Sequence, residues 1–365
     1  MLKIGIVGLP NVGKSTLFNA LTKASVPAEN YPFCTIDPSV GVVGVPDMRL
    51  DKLADFSKSE KVVPAAIEFV DIAGLVKGAA EGEGLGNQFL ANIRETDAIL
   101  ELVRFFDDPN ITHVSEEVEP YKDIEIINLE LALADAEQVR KRRDKLVRDI
   151  KTGNKDAAAE DAALEKLSKG FSEGKLAINA GLTDDEKKLV STLNLLTMKP
   201  ILYAFNKKSG GRNLDELADG RADRAYELIR MLGGRHIFLD AVTERELNDV
   251  VDADRDGFRQ ELGVSEDGLA ELIRGAYETL GLISFFTTGT DETRAWTVSS
   301  GSTAPIAGAA IHNDFLNKFI RAEVIDWQKL LELGSYAAAR EKGMVRVEGK
   351  EYVVSDGDVM VFLHG

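Results

Sequence analysis

Leu2-Lys3-Ile4-Gly5-Ile6-Val7-Gly8-Leu9-Pro10-Asn11-Val12-Gly13-Lys14-Ser15-Thr16-Leu17-Phe18-Asn19-Ala20-Leu21 opens the chain. It reads as an apolar strand, a turn of the form G-x-x-x-x-G-K-S, and the start of an apolar-periodic helix. Gly8 and Gly13 let the backbone curl so that successive N–H groups converge at a helix N-terminus, a cavity of phosphate size. Lys14 would set its ammonium against the β- and γ-phosphates, and the Ser15 hydroxyl would hold a magnesium ion between them. Val12, Gly13 and Thr16 line the same turn. The strand before and the helix after make nucleotide binding the reading of this stretch.

With 365 residues, 44% of them hydrophobic, the chain can bury more than one core, and its length suggests two or three domains. No run of 18 or more apolar residues occurs and no leader pattern opens the chain, so a cytoplasmic protein with no membrane partner is expected. Cys34 is the single cysteine, which excludes internal disulfides and a cysteine zinc site. A formal charge of −17 argues against broad attraction to nucleic acid, so any RNA contact must be a local basic patch.

Downstream, Thr35 in Tyr31-Pro32-Phe33-Cys34-Thr35-Ile36-Asp37-Pro38 stands about 20 residues after Lys14 and just before a strand. That is where a switch threonine completes a magnesium shell. The strand Ala65–Val70 leads into Asp71-Ile72-Ala73-Gly74-Leu75, a D-x-x-G pattern. In that pattern Asp71 would hold the metal through water and Gly74 would contact the γ-phosphate. Leu75 occupies the position of the glutamine that orients the attacking water, and a leucine cannot hydrogen-bond it. Hydrolysis is therefore expected to be slow, or another group reaches the water. His113, on a polar loop after the strand Ala98–Phe106, is a candidate for that group; a surface role is the alternative.

A helix over about 123–150 and a second over about 156–171 read as a hairpin projecting from the α/β body. From Arg140 to Lys151 the first of them carries seven basic and two acidic residues. Arg140, Arg142 and Arg143 are the candidates for an RNA or ribosomal contact, with an ordinary solvated face as the alternative. Asn206-Lys207-Lys208-Ser209 follows the strand Ile201–Phe205, where an N-K-x-D base reader belongs. Asn206 and Lys207 would frame the base, but Ser209 cannot give guanine the two acceptors of an aspartate. A last strand is expected over 237–242, with Ala241 in the base-capping turn. From Gly281 onward, short strands around one helical stretch near 314–319 suggest a small β-grasp domain.

Taken together, these strings resemble the Obg-related YchF-type ATPases: the phosphate loop, Tyr31–Pro38, Asp71–Ala79, Arg294-Ala295-Trp296-Thr297 and Phe319–Val324. The resemblance covers nearly the whole chain. It implies an α/β fold: a Ras-like P-loop NTPase domain (1–125 and 198–280), an inserted helical coiled-coil arm (126–197) and a C-terminal β-grasp TGS domain (281–365). It further implies ATP hydrolysis, often in preference to GTP, magnesium, ribosome association, and a hydrophobic residue in place of the catalytic glutamine, which matches Leu75. Asn11 matches an asparagine that in potassium-dependent relatives helps to seat K+ at the phosphates. Two departures stand out: the family's N-x-x-E is here Asn206-Lys207-Lys208-Ser209, and Asp240-Ala241-Val242 stands where a serine-alanine-lysine or similar is expected. A GTPase of the same fold, or a nucleotide-gated RNA- or ribosome-binding module with negligible hydrolysis, are the alternatives.

Overall fold

A computed structural model describes residues 1–26, 37, 39–72, 84–111, 117–262 and 267–364. Thr35, Gly74, Leu75 and His113 lie outside the described residues, as does Cys34.

In chain order the first half runs β1 (Lys3–Val7), α1 (Lys14–Lys23), β2 (Val40–Gly44), α2 (Met48–Ser57), β3 (Lys61–Val63), β4 (Ala66–Asp71), α3 (Gly84–Arg94), β5 (Ala98–Arg104) and β6 (Phe106–Asp107). Then come α4 (Pro120–Lys151), α5 (Lys155–Ser172), α6 (Asp184–Val190), β7 (Ile201–Asn206), β8 (Arg212–Asn213), α7 (Leu214–Leu217), α8 (Arg221–Met231) and β9 (Arg235–Leu239). The chain closes with α9 (Ala241–Leu247), α10 (Asp252–Glu261), α11 (Gly268–Thr279), β10 (Leu282–Thr288), β11 (Glu292–Ser299), α12 (Ala304–Ile311), α13 (Asp314–Lys318), β12 (Phe319–Asp326), α14 (Trp327–Leu333), α15 (Tyr336–Glu341), β13 (Arg346–Glu348) and β14 (Asp358–His364).

Six strands form the first sheet in the order β2-β4-β1-β5-β7-β9. All neighbours are parallel except β2, which runs antiparallel to β4. A parallel sheet covered on both faces needs apolar side chains on both, and every residue of β5 is buried accordingly. Ligands of such sheets bind beyond the carboxyl ends of the strands. There the chain places the phosphate turn after β1, Asp71 at the end of β4, Arg104 at the end of β5, Asn206 at the end of β7 and Asp240 directly after β9.

The 32-residue α4 extends about 48 Å at 1.5 Å per residue. It turns back through Gly153, at φ 86°, and Asn154, whose side chain caps α5 by accepting from the Asp156 and Ala157 amides. Val139, Leu146, Ala163, Leu164 and Leu167 bury the seam between these helices, so the arm has a core of its own. At its foot the fully buried Asp135 accepts from the amides of Leu196 (2.9 Å) and Thr197 (2.8 Å) and from the Thr197 hydroxyl. Burial raises the pKa of Asp135 and those hydrogen bonds oppose the rise.

The second sheet has the order β13-β12-β14-β10-β11-β3. Its last strand comes from the N-terminal half: β3 pairs parallel with β11, Lys61 to Val63 against Glu292 to Arg294. α2 follows it across, with Arg49 bonded to Asp356 at 2.6 Å and stacked 5.2 Å over the Phe286 ring. One buried cluster therefore runs from Ile4 and Leu17 through Leu53 to Phe286, Ile325 and Val359.

Three local expectations are corrected. The strand expected over 237–242 stops at Leu239, because the Asp240 carboxylate accepts the Val242 and Thr243 amides and starts α9. The main helix on the C-terminal sheet is α12, opened by a proline in its first turn and burying Ala304, Ala307 and Gly308; the segment near 314–319 is the five-residue α13 leading into β12. Tyr352-Val353-Val354, which reads as one of the short C-terminal strands, forms only an isolated bridge, Thr303 to Val353.

Candidate nucleotide-binding site

The phosphate turn is held in its curl by backbone geometry. Asn11 and Gly13 have φ of 63° and 105°, the left-handed region. A Cβ at Gly8 would stand 2.5 Å from the Leu102 carbonyl oxygen, and one at Gly13 would stand 2.5 Å from Asn206 Nδ2, so neither position has room for a side chain. Gly13 is the N-cap of α1 and no acidic residue occupies the first turn, which leaves the positive end of the helix uncompensated.

Lys14 Nζ donates to the carbonyls of Gly8 (2.9 Å) and Leu9 (2.8 Å), so its ammonium lies across the mouth of the turn. Burial lowers its pKa, and the Asp71 carboxylate acts in the opposite direction. The Asp71 carboxyl is in turn pushed up by burial and pulled down by Lys14. The two groups are thus brought together from β4 and α1. Ser15 is exposed at the start of α1, with Thr16 half-buried beside it.

At the other end Asn206 is a cross-brace. Its side chain is 4% exposed; Nδ2 donates to the Val12 carbonyl (2.8 Å) and Oδ1 accepts the Ala241 amide (3.0 Å). One side chain therefore ties the phosphate turn to the start of α9. Lys207 pairs with Asp215 at 2.8 Å and Glu216 at 3.7 Å, its ammonium 5.6 Å from the Phe238 ring centroid. The Ser209 amide donates to Asp240 Oδ2 (2.7 Å), and its hydroxyl lies 3.2 Å from Thr243 Oγ1.

Sequence reasoning missed the part played by Asp240. Its N-cap signal, an aspartate two and three residues before the amides it accepts, was masked by the apolar run that precedes it. It also missed Arg104, whose 1%-exposed guanidinium donates to the carbonyls of Phe106, Asp108 and Ile111 at 3.0 Å each. Those bonds fix the segment that leads toward residue 113.

On the arm, Arg142 makes a two-point bond to Glu160 (2.6 and 2.7 Å), and Arg143 binds Asp161 at 2.8 Å. Both cations staple α4 to α5. Arg140, its side chain 66% exposed, makes a long ion pair with Asp144 on its own helix, at 3.4 Å. The basic run is therefore partly neutralised from across the hairpin, which a charge count along one helix cannot register.

Residues 3–134 match a family model described as 50S ribosome-binding GTPase, and residues 282–364 match one described as YchF-GTPase_C, a protein of unknown function. The chain is 50% identical over 365 residues to the ribosome-binding ATPase YchF of Bacillus subtilis, covering 99% of this chain and 98% of that protein. It is 47% identical over 361 residues to the protein of the same name from Escherichia coli O157:H7, with the same coverage. Among solved structures, the Schizosaccharomyces pombe YchF GTPase superposes with a TM-score of 0.86 at 36% identity, covering 99% of this chain and 97% of that one. Among the described residues no helix is long and apolar enough to cross a membrane.

Proposed function

Because the chain belongs to the YchF family and is thereby a P-loop NTP hydrolase, we propose that it is a magnesium-dependent triphosphatase favouring ATP, slow by itself, that acts as a ribosome-associated switch in the cytoplasm. The observation that carries the choice of base is at Ser209 and Asp240. The acid that would take guanine's N–H groups is absent at 209. The acid opposite, Asp240, accepts from Val242, Thr243, Ser209 and the Thr243 hydroxyl, which fills its four lone-pair sites. Guanine thus loses its bidentate partner.

The donor set fits magnesium. The Ser15 hydroxyl and the Asp71 carboxylate are hard oxygen ligands, and neither side chain has a hydrogen-bond partner among the described residues. Bound there, the ion would neutralise charge on the phosphate oxygens. The chain's own part is to bind and orient: the amides of the first turn of α1 and the Lys14 ammonium draw the triphosphate in, and Asn206 keeps the phosphate and base turns in register. Thr35, Gly74 and the candidate His113 keep the roles that the sequence patterns suggest, and Asn11 the K+ seat that the resemblance implies. Leu75 underlies the slow rate. Of the three candidate arginines on the arm, Arg140 is the least engaged by the fold and the foremost ribosome contact.

ATP and GTP competing for a labelled analogue, with and without magnesium and with K+ against Na+, test the reading. ATP should win, and Lys14→Ala should abolish binding. GTP preferred by more than about tenfold, about 1.4 kcal/mol, overturns the base assignment. Single-turnover phosphate release tests the chemistry: none from the parent protein would favour the non-hydrolysing module, for which Leu75 is the argument.

A further inference from the structure

The two departures at the base end touch: the Ser209 amide donates to Asp240 Oδ2 at 2.7 Å. An N-K-x-D reader carries its acid on the first turn and a hydroxyl on the capping turn; this chain carries a hydroxyl on the first, Ser209, and an acid on the second, Asp240. We propose that the acid and the hydroxyl have been exchanged between the two turns, and that Asp240 is the positioning residue that decides which purine the site accepts. The proposal deepens the ATP reading above and rests on it.

The geometry argues for an exchange rather than a loss. Asp240 Oδ1 accepts the amides of Val242 (3.0 Å) and Thr243 (3.1 Å), the capping half of its work. Oδ2 reaches back to the Ser209 amide (2.7 Å) and the Thr243 hydroxyl (2.8 Å), the bracing half. The Ser209 hydroxyl, 3.2 Å from Thr243 Oγ1, joins the same cluster. An acid on the first turn has no helix start to cap and can turn both oxygens to a base. An acid on the second is consumed by the main chain. Moving the carboxylate by one turn therefore removes the guanine acceptors while keeping one carboxylate and one hydroxyl facing each other. Asn206, tied to the neighbouring Ala241 amide, transmits any slackening of this cluster to Val12 and the phosphate turn.

The test is the reversal. The double variant Ser209→Asp/Asp240→Ser keeps an acid–hydroxyl pair and a good N-cap residue on α9, and should melt close to the parent. In magnesium-dependent competition binding its GTP-to-ATP preference should move toward GTP by about tenfold or more, equivalent to about 1.4 kcal/mol. The readout is the change in that ratio, so it stands apart from which purine the parent favours. A double variant that melts like the parent and keeps the parent's ratio overturns the exchange. Should the double variant fail to fold, Asp240→Ser alone decides. With the cap kept and the brace to Ser209 lost, its KM for ATP should rise about tenfold with kcat within about twofold. An unchanged KM overturns the positioning role.

Discussion

Asn206→Ala should loosen the whole site, because it cuts a tie at two ends. The side chain is 4% exposed and makes bonds of 2.8 Å to the Val12 carbonyl and 3.0 Å to the Ala241 amide. Removing it leaves a carbonyl and an N–H without partners, the latter on a residue with no exposed surface. An orphaned buried polar group costs about 1–3 kcal/mol, so both together cost about 2–6 kcal/mol, and entry of water into the vacated volume favours the lower half of that range. Stability should therefore fall by about 2–4 kcal/mol in urea titration. Triphosphate affinity should fall at least tenfold, since the phosphate and base turns no longer share a fixed spacing. Asn206→Ser, whose hydroxyl can satisfy one group but not both, should lie between. Were Asn206→Ala to unfold within about 0.5 kcal/mol of the parent and bind nucleotide equally well, the idea of a brace would be wrong.

Two further outcomes follow from charges placed outside the phosphate turn. Glu244 is 3% exposed and accepts the Gly268 amide at 2.9 Å; burial first, then the nearby Asp267, push its pKa up to about 7, against Arg259 and the amide bonds. Since the folded state holds this proton above the ordinary carboxylate range, the stability Glu244 contributes should be fully present at pH 4.5 and below, be lost as pH rises to about 7 and then level off, a loss of about 3 kcal/mol. Glu244→Gln should flatten that slope in unfolding curves taken from pH 5 to pH 8 and be the more stable protein at pH 8; parallel profiles for the two proteins would exclude Glu244 as the source. On the arm, Arg142→Gln/Arg143→Gln should cost about 1 kcal/mol of hairpin stability, read as faster amide exchange in α5, whereas Arg140→Gln should not. Loss of ribosome co-sedimentation in Arg140→Gln, with unchanged exchange, would thus report a contact and not a loosened arm.

Much of this was legible from residue order because local chemistry decides it. The strand, glycine turn and helix that open the chain need only their own glycines and apolar periodicity, and the arm needs only its heptad-like spacing and the Gly153-Asn154 break. What stayed hidden depends on partners distant in sequence. β3 is three residues long and becomes a strand only because β11 offers an edge. Likewise Arg142 and Arg143 look like a surface for an anion until Glu160 and Asp161, 18 residues on, are seen to face them. At Asp240 two local signals conflict: the apolar run reads on as strand while the carboxylate starts a helix.

The loan of β3 to the far sheet has a mechanical side. In sequence, α2 and β3 lie between Thr35 and the Asp71-Ile72-Ala73-Gly74 pattern, yet they are fastened to the C-terminal half by Arg49, by the Ser59 hydroxyl bonded to the Gly289 carbonyl at 2.7 Å, and by a shared strand ladder. α2 and β3 are thus joined to the C-terminal sheet by these bonds and this ladder as well as by the chain itself at Gly281. For the same reason a cut at that glycine would not give two tidy halves: one fragment would lose an edge strand, and the other would bare the apolar side of α2.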